Sequence, residues 1–209
     1  MLLVRGSAPW ELLLMRRPGG ADFAPGAYVF PGGSVHRDDT AWPDEIRAAA
    51  VRELFEEVGV LLARKGGRFA RDRDSREVRA LLASGTTFVD ALRLSNLVPA
   101  FDRLVLFARW VTPALLSRRF DTRFFFARLP VGQTITPQEG EVTDWLWSRP
   151  ERALYDPAVT LVYATRAVLE SVAGGGTSSA LLSKARRLRH VPIIEPRLVQ
   201  TESGWEVRR

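Results

Sequence analysis

The chain has 209 residues, 46% of them hydrophobic and 26% charged, which is ordinary for a globular protein with a sizeable core. It contains no cysteine, which excludes disulfide bonds, thiolate nucleophiles and cysteine-based zinc sites, and two histidines leave little scope for a histidine-built metal site. The net charge of +6 favours anionic ligands, but it is spread along the chain, which argues against nucleic acid as the main substrate.

Two short apolar segments near the start of the chain predict a β-hairpin. Leu2–Val4 and Glu11–Met15 have strand character, and a turn-rich connector lies between them. Arg16 and Arg17 close the second strand. Two interpretations fit these arginines: a basic strand end in water, and a contact to a phosphate group.

A glycine-rich turn follows a short predicted strand at 28–30. Gly32 and Gly33 come directly after Pro31, and glycine can adopt the positive φ that a side chain disfavours. A turn of this kind also lets the backbone approach a ligand closely.

Residues 43–60 predict a helix with one apolar and one acidic face. Pro43 suits its first turn, and Gly59 provides its C-terminal stop. At about 100° per residue, the apolar side chains share one face and three glutamates share the other. The apolar face consists of Val51, Leu54, Phe55 and Val58, and the acidic face consists of Glu53, Glu56 and Glu57.

The acidic face has two interpretations. Like charges three and four residues apart oppose an isolated helix by about 0.2–0.5 kcal/mol per pair, which a solvated surface tolerates. A divalent cation would instead turn the repulsion into binding, because carboxylate oxygens are the ligands that Mg²⁺ and Mn²⁺ prefer.

The sequence around these glutamates resembles the Nudix hydrolase family. Residues 52–60 match the second half of the Nudix box, Arg-Glu-(apolar)-X-Glu-Glu-X-Gly-(apolar), at every specified position, and the Pro-Gly-Gly turn resembles the one that opens the box. The resemblance implies an α/β Nudix fold, with a mixed β-sheet sandwiched between helices, and cleavage of nucleoside diphosphates linked to another group. It also implies Mg²⁺ or Mn²⁺ as cofactor, with Arg52 holding the carboxylates in place. The implied metal-binding residues are Glu53, Glu56, Glu57 and Gly33, and Gly32 and Gly33 are implied to approach the substrate.

The spacing inside the box departs from the family pattern. Counting forward from Gly33, the upstream acid is Asp39, and twelve residues separate it from Arg52, about five more than the pattern has. Counting back from Arg52, the upstream acid is Asp44, with Glu45 beside it. Because the metal-binding half is intact, we expect the loop conformation to differ and the activity to remain.

An insertion is predicted at about 64–98. Residues 64–74 are polar and rich in arginine, which predicts a loop, and residues 75–83 and 87–94 have helical apolar spacing. A cap over a binding cleft, internal packing and a homodimer contact are all compatible with such an insertion.

Two further strands are predicted at 104–111 and 119–127. Segments 110–113 and 118–125 resemble a Nudix branch that includes the peroxisomal coenzyme A diphosphatases of animals and bacterial relatives. Arg119, Asp121 and Arg123 are candidate substrate contacts, although alternation along a half-buried strand would place Asp121 and Arg123 in water.

Residues 139–147 pass from a loop into a strand. The resemblance implies one more acid here, which binds metal or removes a proton from the attacking water. Glu141 is the first candidate and Glu139 the second, and simple solvent exposure is the alternative for each.

The remaining chain predicts a helix from Pro150 and a helical extension at about 157–209, with helices near 160–172 and 179–189. Its tail could add an edge strand or reach a neighbouring subunit. We expect one domain over 1–209. No stretch approaches the ~20 apolar residues of a membrane span, so a cytoplasmic protein is predicted.

The predicted function is metal-dependent hydrolysis of a small-molecule nucleoside diphosphate derivative. On branch resemblance, coenzyme A or an acyl derivative is the leading substrate. ADP-ribose, NADH and nucleotide sugars stay open, as do RNA 5′-end processing and a non-catalytic module that senses a nucleotide.

Overall fold

The computed structural model describes residues 1–113, 119–191, 193–201 and 204–208. Residue 118 of the branch motif lies outside them. The strands are β1 (Leu2–Gly6), β2 (Trp10–Arg16), β3 (Tyr28–Val29), β4 (Ala63–Lys65), β5 (Arg68–Phe69), β6 (Val98–Pro99), β7 (Val105–Val111), β8 (Asp121–Arg128), β9 (Asp144–Ser148), β10 (Ile193–Ile194), β11 (Arg197–Thr201) and β12 (Gly204–Arg208). The α-helices are α1 (Glu45–Val58), α2 (Asp72–Ala83), α3 (Phe88–Leu94), α4 (Pro150–Tyr155), α5 (Tyr163–Val172) and α6 (Ser178–Arg186), and short 3₁₀ helices occupy Arg37–Ala41 and Phe101–Arg103.

A mixed sheet lies at the centre of the fold. Its strand order is β10-β7-β8-β1-β2-β3, and β9 also pairs with β2. The pairs β1–β8 and β7–β10 are parallel, whereas β1–β2, β2–β3, β2–β9 and β7–β8 are antiparallel. The predicted N-terminal hairpin is confirmed, since Val4 pairs with Leu12 and Gly6 pairs with Trp10.

Helices cover both faces of this sheet. Successive strand residues point to opposite faces, so Leu3 enters the core that contains α1, whereas Leu2 and Val4 enter the core that contains α5 and α6. Burial on both faces explains the uninterrupted apolar runs of β1 and β2. The predicted sandwich of a mixed sheet between helices is confirmed.

Helix α1 crosses the first of these cores. Its N-cap is Asp44, whose side chain accepts a hydrogen bond of 3.0 Å from the backbone N–H of Arg47. Pro43 therefore lies before the helix, and its predicted place in the first turn is wrong, because the carboxylate cap sets the helix start. Gly59 ends the helix with a φ of 75°, as predicted.

The insertion contains more regular structure than predicted. The prediction of a loop at 64–74 is wrong, because β4 and β5 form a hairpin whose turn residues, Gly66 and Gly67, have φ values of 55° and 83°. Two positive φ angles give a turn whose twist matches that of the strands. β6 pairs with β4. The two predicted helices are confirmed as α2 and α3, with α2 starting at Asp72.

The C-terminal extension is only partly helical. The two predicted helices are confirmed as α5 and α6, but strands follow them, since the residues after 192 favour extended structure. β10 adds an edge strand beside β7, which was one of the two expectations for the tail, and β11 pairs with β12.

Among the described helices, none has the length and apolar character to cross a membrane.

Candidate active site

The glycine-rich turn lies against the acidic face of α1. A Cβ atom on Gly33 would be 2.4 Å from Oε1 of Glu53, so a side chain at this position would collide with the carboxylate. The backbone N–H of Gly32, where φ is 152°, donates a hydrogen bond of 2.8 Å to Oε2 of Glu57. The structure therefore brings together the glycine-rich turn and the acidic face of α1. Gly33 and Glu53, which belong to these two motifs, are twenty residues apart in the sequence.

Arg52 is buried at the centre of the site and connects its parts. Its Nη1 donates to Oε1 of Glu53 and to Oε2 of Glu56, both at 2.8 Å. Its Nη2 donates to the carbonyl of Ser34 at 2.8 Å. Its Nε and Nη2 donate to Asp39 at 3.1 and 3.0 Å, a two-pronged contact that holds both planar groups in register.

The upstream acid of the box is Asp39, which was one of the two predicted alternatives. Its side chain is 3% exposed and also accepts a hydrogen bond of 2.8 Å from the backbone N–H of His36. Asp44, the other alternative, caps α1 and pairs with Arg47. The extra residues of this box therefore follow Asp39 and precede α1.

Burial and mutual repulsion raise the pKa values of Glu53 and Glu57. The pKa of Glu57 rises to about 8, mainly because of burial; the bond from Gly32 opposes the shift, and the charges of Glu53 and Glu141 increase it. Burial also raises the pKa of Glu53, against the nearby charge of Arg52. Burial disfavours the charged form of Arg52, but its bonds to the carboxylates raise its pKa overall.

The loop at 129–143, termed here the acid loop, joins β8 to β9 and carries both predicted additional acids. The charge of Glu141 contributes to the raised pKa of Glu57, so these two carboxylates are close enough to interact electrostatically. Glu139 is exposed, and no described contact joins it to the glutamates of α1. The backbone N–H of Gln138 donates to the carbonyl of Glu57 at 2.9 Å.

Arg16 and Arg17 fasten the loop between β2 and β3. Nε of Arg16 donates to the carbonyl of Gly26 at 3.1 Å, and Nε of Arg17 donates to the carbonyl of Phe23 at 2.9 Å. Because a guanidinium has five N–H donors, these bonds leave donors available. A phosphate contact from either arginine stays a prediction.

Arg119 and Arg123 have acidic partners of their own. Arg119 pairs with Glu195 at 3.5 Å, and Arg123 pairs with Asp121 at 3.7 Å. No contact within the described part of the chain joins either arginine to the glycine-rich turn or to the glutamates, so their substrate role also stays a prediction.

The family model of the NUDT19 Nudix domain matches residues 38–160, more than half of the chain. The chain belongs to the Nudix hydrolase family. The match places it in the NUDT19-like branch, which agrees with the motifs at 110–113 and 118–125.

Relatives and a solved structure are consistent with this membership. This Nudix chain is 34% identical to a nudix hydrolase of Caenorhabditis elegans over 155 residues, which cover 74% of the chain and 51% of the relative. It is 24% identical to the acyl-coenzyme A diphosphatase NUDT19 of Xenopus laevis over 210 residues, which cover 72% and 55%. The chain thus spans about half the length of these relatives. A NUDIX hydrolase from Alicyclobacillus acidocaldarius has the same fold, with a TM-score of 0.72 and 24% identity, covering 87% of this chain and 92% of that one.

The carboxylates of this Nudix site are candidate ligands for a divalent metal. Among the described side chains, no three acids or histidines are arranged closely enough to hold a metal ion, and Glu53 and Glu56 are bonded to Arg52. The donor types nevertheless fit a hard cation, which prefers carboxylate and carbonyl oxygens. The bonds from Arg52 and Gly32 use one oxygen of each glutamate. The raised pKa values of Glu53 and Glu57 indicate buried negative charge that a cation would offset.

Sequence reasoning missed three hydrogen bonds that shape this Nudix site. The hydroxyl of Tyr28 donates to Asp144, which joins the starts of β3 and β9. Burial and this bond raise the pKa of Tyr28 to about 12. Arg79 of α2 binds the acid loop through Thr136 and Gln138. No local pattern marks these pairs, because their members lie 116, 57 and 59 residues apart.

Proposed function

We propose that this Nudix protein hydrolyses the diphosphate linkage of a nucleoside diphosphate derivative and that the reaction depends on Mg²⁺ or Mn²⁺. The observation that carries the proposal is the arrangement of Arg52, Glu53, Glu56 and Glu57 against the glycine-rich turn. In a helix that only presented acids to solvent, Glu57 and Arg52 would not be buried with specific partners.

Glu53, Glu56 and Glu57, with the backbone of Gly33, would hold the metal. When bound, such an ion offsets charge on the diphosphate and lowers the pKa of a water molecule. Arg52 orients Glu53 and Glu56 through two bonds of 2.8 Å, and Asp39 orients Arg52 in turn. This chain of contacts pre-organises the carboxylates, which is how electrostatic catalysis avoids reorganisation during the reaction.

Glu141 is the proposed general base, and Glu139 is the second candidate. Glu141 is exposed, so its carboxylate can reach solvent, and its charge acts on Glu57, one of the proposed metal ligands. A carboxylate in this position can accept a proton from the attacking water. Gly32, Gly33, Arg16 and Arg17 are the proposed contacts to the substrate phosphates, with Arg119 and Arg123 as further candidates.

Coenzyme A or an acyl-coenzyme A is the proposed substrate. Support comes from the NUDT19 family match and from the name of the Xenopus laevis relative, an acyl-coenzyme A diphosphatase. ADP-ribose, NADH and nucleotide sugars are the competing substrates. The homodimer and the cytoplasmic location stay predictions from the sequence.

A panel of diphosphates with Mg²⁺ or Mn²⁺ tests the proposal through its products. Release of 3′,5′-ADP and phosphopantetheine would identify coenzyme A, whereas AMP would identify an ADP-linked substrate.

Glu57→Gln should lower kcat by about 10²–10³-fold, as for other groups that stabilise transition-state charge. Glu45→Gln, an exposed carboxylate of the same helix, is the matched control. No turnover of any compound by the wild type, or equal turnover by both variants, would overturn the proposal.

A further inference from the structure

We infer that helix α2 of the insertion positions the acid loop, and that Arg79 is the positioning residue that sets Glu141 relative to α1. The inference rests on the proposed function for the role of Glu141. The contacts between α2 and the loop are independent of that role, and they form three successive anchors.

The first anchor is the buried side chain of Gln133, which is 5% exposed. Its Nε2 donates to the carbonyls of Leu61 and Ala70 at 2.9 and 2.8 Å, and its Oε1 accepts from the N–H of Leu61 at 2.7 Å. The amide therefore joins the acid loop to both ends of the segment that leads from α1 to α2. A buried side-chain amide is tolerated when its N–H donors and its carbonyl oxygen all have hydrogen-bond partners.

The second anchor is Asp72, the first residue of α2. Its carboxylate accepts hydrogen bonds from the N–H and the hydroxyl of Thr134 at 2.8 and 3.0 Å. Its own N–H donates to the carbonyl of Gly132 at 3.2 Å. The start of α2 is thus bonded to the loop through backbone and side chain together.

The third anchor is Arg79, which lies seven residues further along α2, or about 10 Å at 1.5 Å per residue. Its Nη2 donates to the carbonyl of Thr136 at 3.0 Å, and its Nη1 donates to Oε1 of Gln138 at 2.8 Å. Its guanidinium also lies 5.5 Å from the ring centroid of Phe55 in α1. Arg79 therefore contacts the loop and α1 at once.

The anchored segment continues along the end of α1. The N–H groups of Thr136 and Gln138 donate to the carbonyls of Val58 and Glu57, both at 2.9 Å. These carbonyls belong to the last turn of the helix, where partners inside the helix are lacking. The carbonyl of Gln138 then accepts from the N–H of Glu141 at 3.3 Å. Glu141 thus lies one turn beyond the residue that Arg79 holds.

Hydrogen exchange on the full chain tests the link without any substrate. In Arg79→Ala, we expect the amides of Thr136 and Gln138 to exchange at least about tenfold faster, because loss of a local anchor lowers the free energy of local opening. Arg73→Ala removes an exposed arginine from the same helix and should leave these amides unchanged. Unchanged exchange in Arg79→Ala, or equal changes in both variants, would overturn the inference.

Kinetics on the best substrate of the panel tests the consequence for Glu141. Arg79→Ala should lower kcat by about 10–100-fold and change KM by less than about threefold, because misplacement of a reacting group by about 1 Å has effects of this size. Arg79→Lys keeps the charge but loses the two-pronged contact, so it should resemble Arg79→Ala. Retention of full kcat by Arg79→Ala would overturn the positioning role.

The two proposals fail in different ways. A wild type that cleaves no diphosphate, with exchange accelerated in Arg79→Ala alone, would overturn the proposed function and support the link between α2 and the loop. If the wild type is active and Arg79→Ala changes neither kcat nor amide exchange, the positioning inference is overturned and the proposed function stands.

Discussion

At the scale of single residues, Arg52 shows how this fold accommodates a buried charge. Its side chain is 5% exposed, and that of its partner Asp39 is 3% exposed. A buried ion is tolerated when a partner and further hydrogen bonds replace the lost water. Arg52 has these from Asp39, Glu53, Glu56 and the carbonyl of Ser34. Removal of one partner should therefore have a large effect.

Asp39→Ala should lower the free energy of unfolding by about 3–5 kcal/mol, because it leaves the buried guanidinium without its two-pronged partner. Asp44→Ala, which removes an N-cap, should lower it by only about 1 kcal/mol. Urea unfolding of both variants at pH 7 measures the difference. Equal losses would mean that Asp39 is not the acid that supports Arg52.

The raised pKa of Glu57 predicts a pH dependence of stability in metal-free protein. Its pKa is about 8 in the folded chain and has an ordinary value of 4.5. Between these values the folded state keeps a proton that the unfolded state has lost, so the contribution of Glu57 to stability is largest below pH 4.5 and falls as pH rises towards 8. Glu57→Gln should flatten this slope. Unfolding midpoints at pH 5, 6.5 and 8 with a chelator would show it, and parallel slopes for both proteins would contradict the assignment.

At the scale of elements, the end of α1 and the acid loop share a tight contact at Gly59. This residue has a φ of 75°, and a Cβ on it would be 1.9 Å from Oγ1 of Thr136 and 2.9 Å from the carbonyl of Thr136. Gly59 therefore allows the left-handed conformation that ends α1, and its lack of a side chain also allows the acid loop to approach the helix. Gly66 also has a positive φ, but nothing lies within 4 Å of its Cβ position.

Gly59→Ala should be more destabilising than Gly66→Ala. Both changes strain a left-handed residue by about 1–2 kcal/mol, and Gly59→Ala adds a clash that must displace the acid loop. It should therefore also lower kcat, whereas Gly66→Ala should not. Chemical unfolding together with turnover measures both effects. Matching losses in the two variants would contradict a tight contact at Gly59.

The elements differ in how far they could be predicted from sequence. Helix α1 and the turn before it could be, because their apolar spacing, glycines and carboxylates are all local. The hairpin of β4 and β5 was missed, because its arginines indicated solvent, whereas Arg64 pairs with Asp102, which is 38 residues away. The anchors of the acid loop were missed for the same reason. Their partners meet only through the tertiary fold.

At the scale of the whole molecule, the sheet separates two apolar cores, and the candidate active site borders the one that contains α1. The same helix thus contributes Val51, Leu54 and Phe55 to the core and Glu53, Glu56 and Glu57 to the site. Ligand binding at the carboxylates should therefore stabilise the fold as a whole, because the native state binds and the unfolded chain does not.

Mn²⁺ should raise the unfolding midpoint of the protein, with about 2.7 kcal/mol of added stability at 100 times its Kd. The effect should be larger at pH 8 than at pH 5, because protons compete for Glu57 at low pH. Thermal unfolding with Mn²⁺ at both pH values measures this, with Glu57→Gln as the comparison. A midpoint that Mn²⁺ does not change in the wild type would exclude the carboxylates as its ligands.

The bond between Asp39 and Arg52 also joins the residue that precedes the extra residues to the middle of α1. The entropy of closing a loop grows only slowly with its length, by about 0.6 kcal/mol for each doubling. A segment tied at its base can therefore gain or lose residues while the carboxylates keep their places. Distance through space, and not the count of residues along the chain, therefore decides whether the carboxylates stay in position.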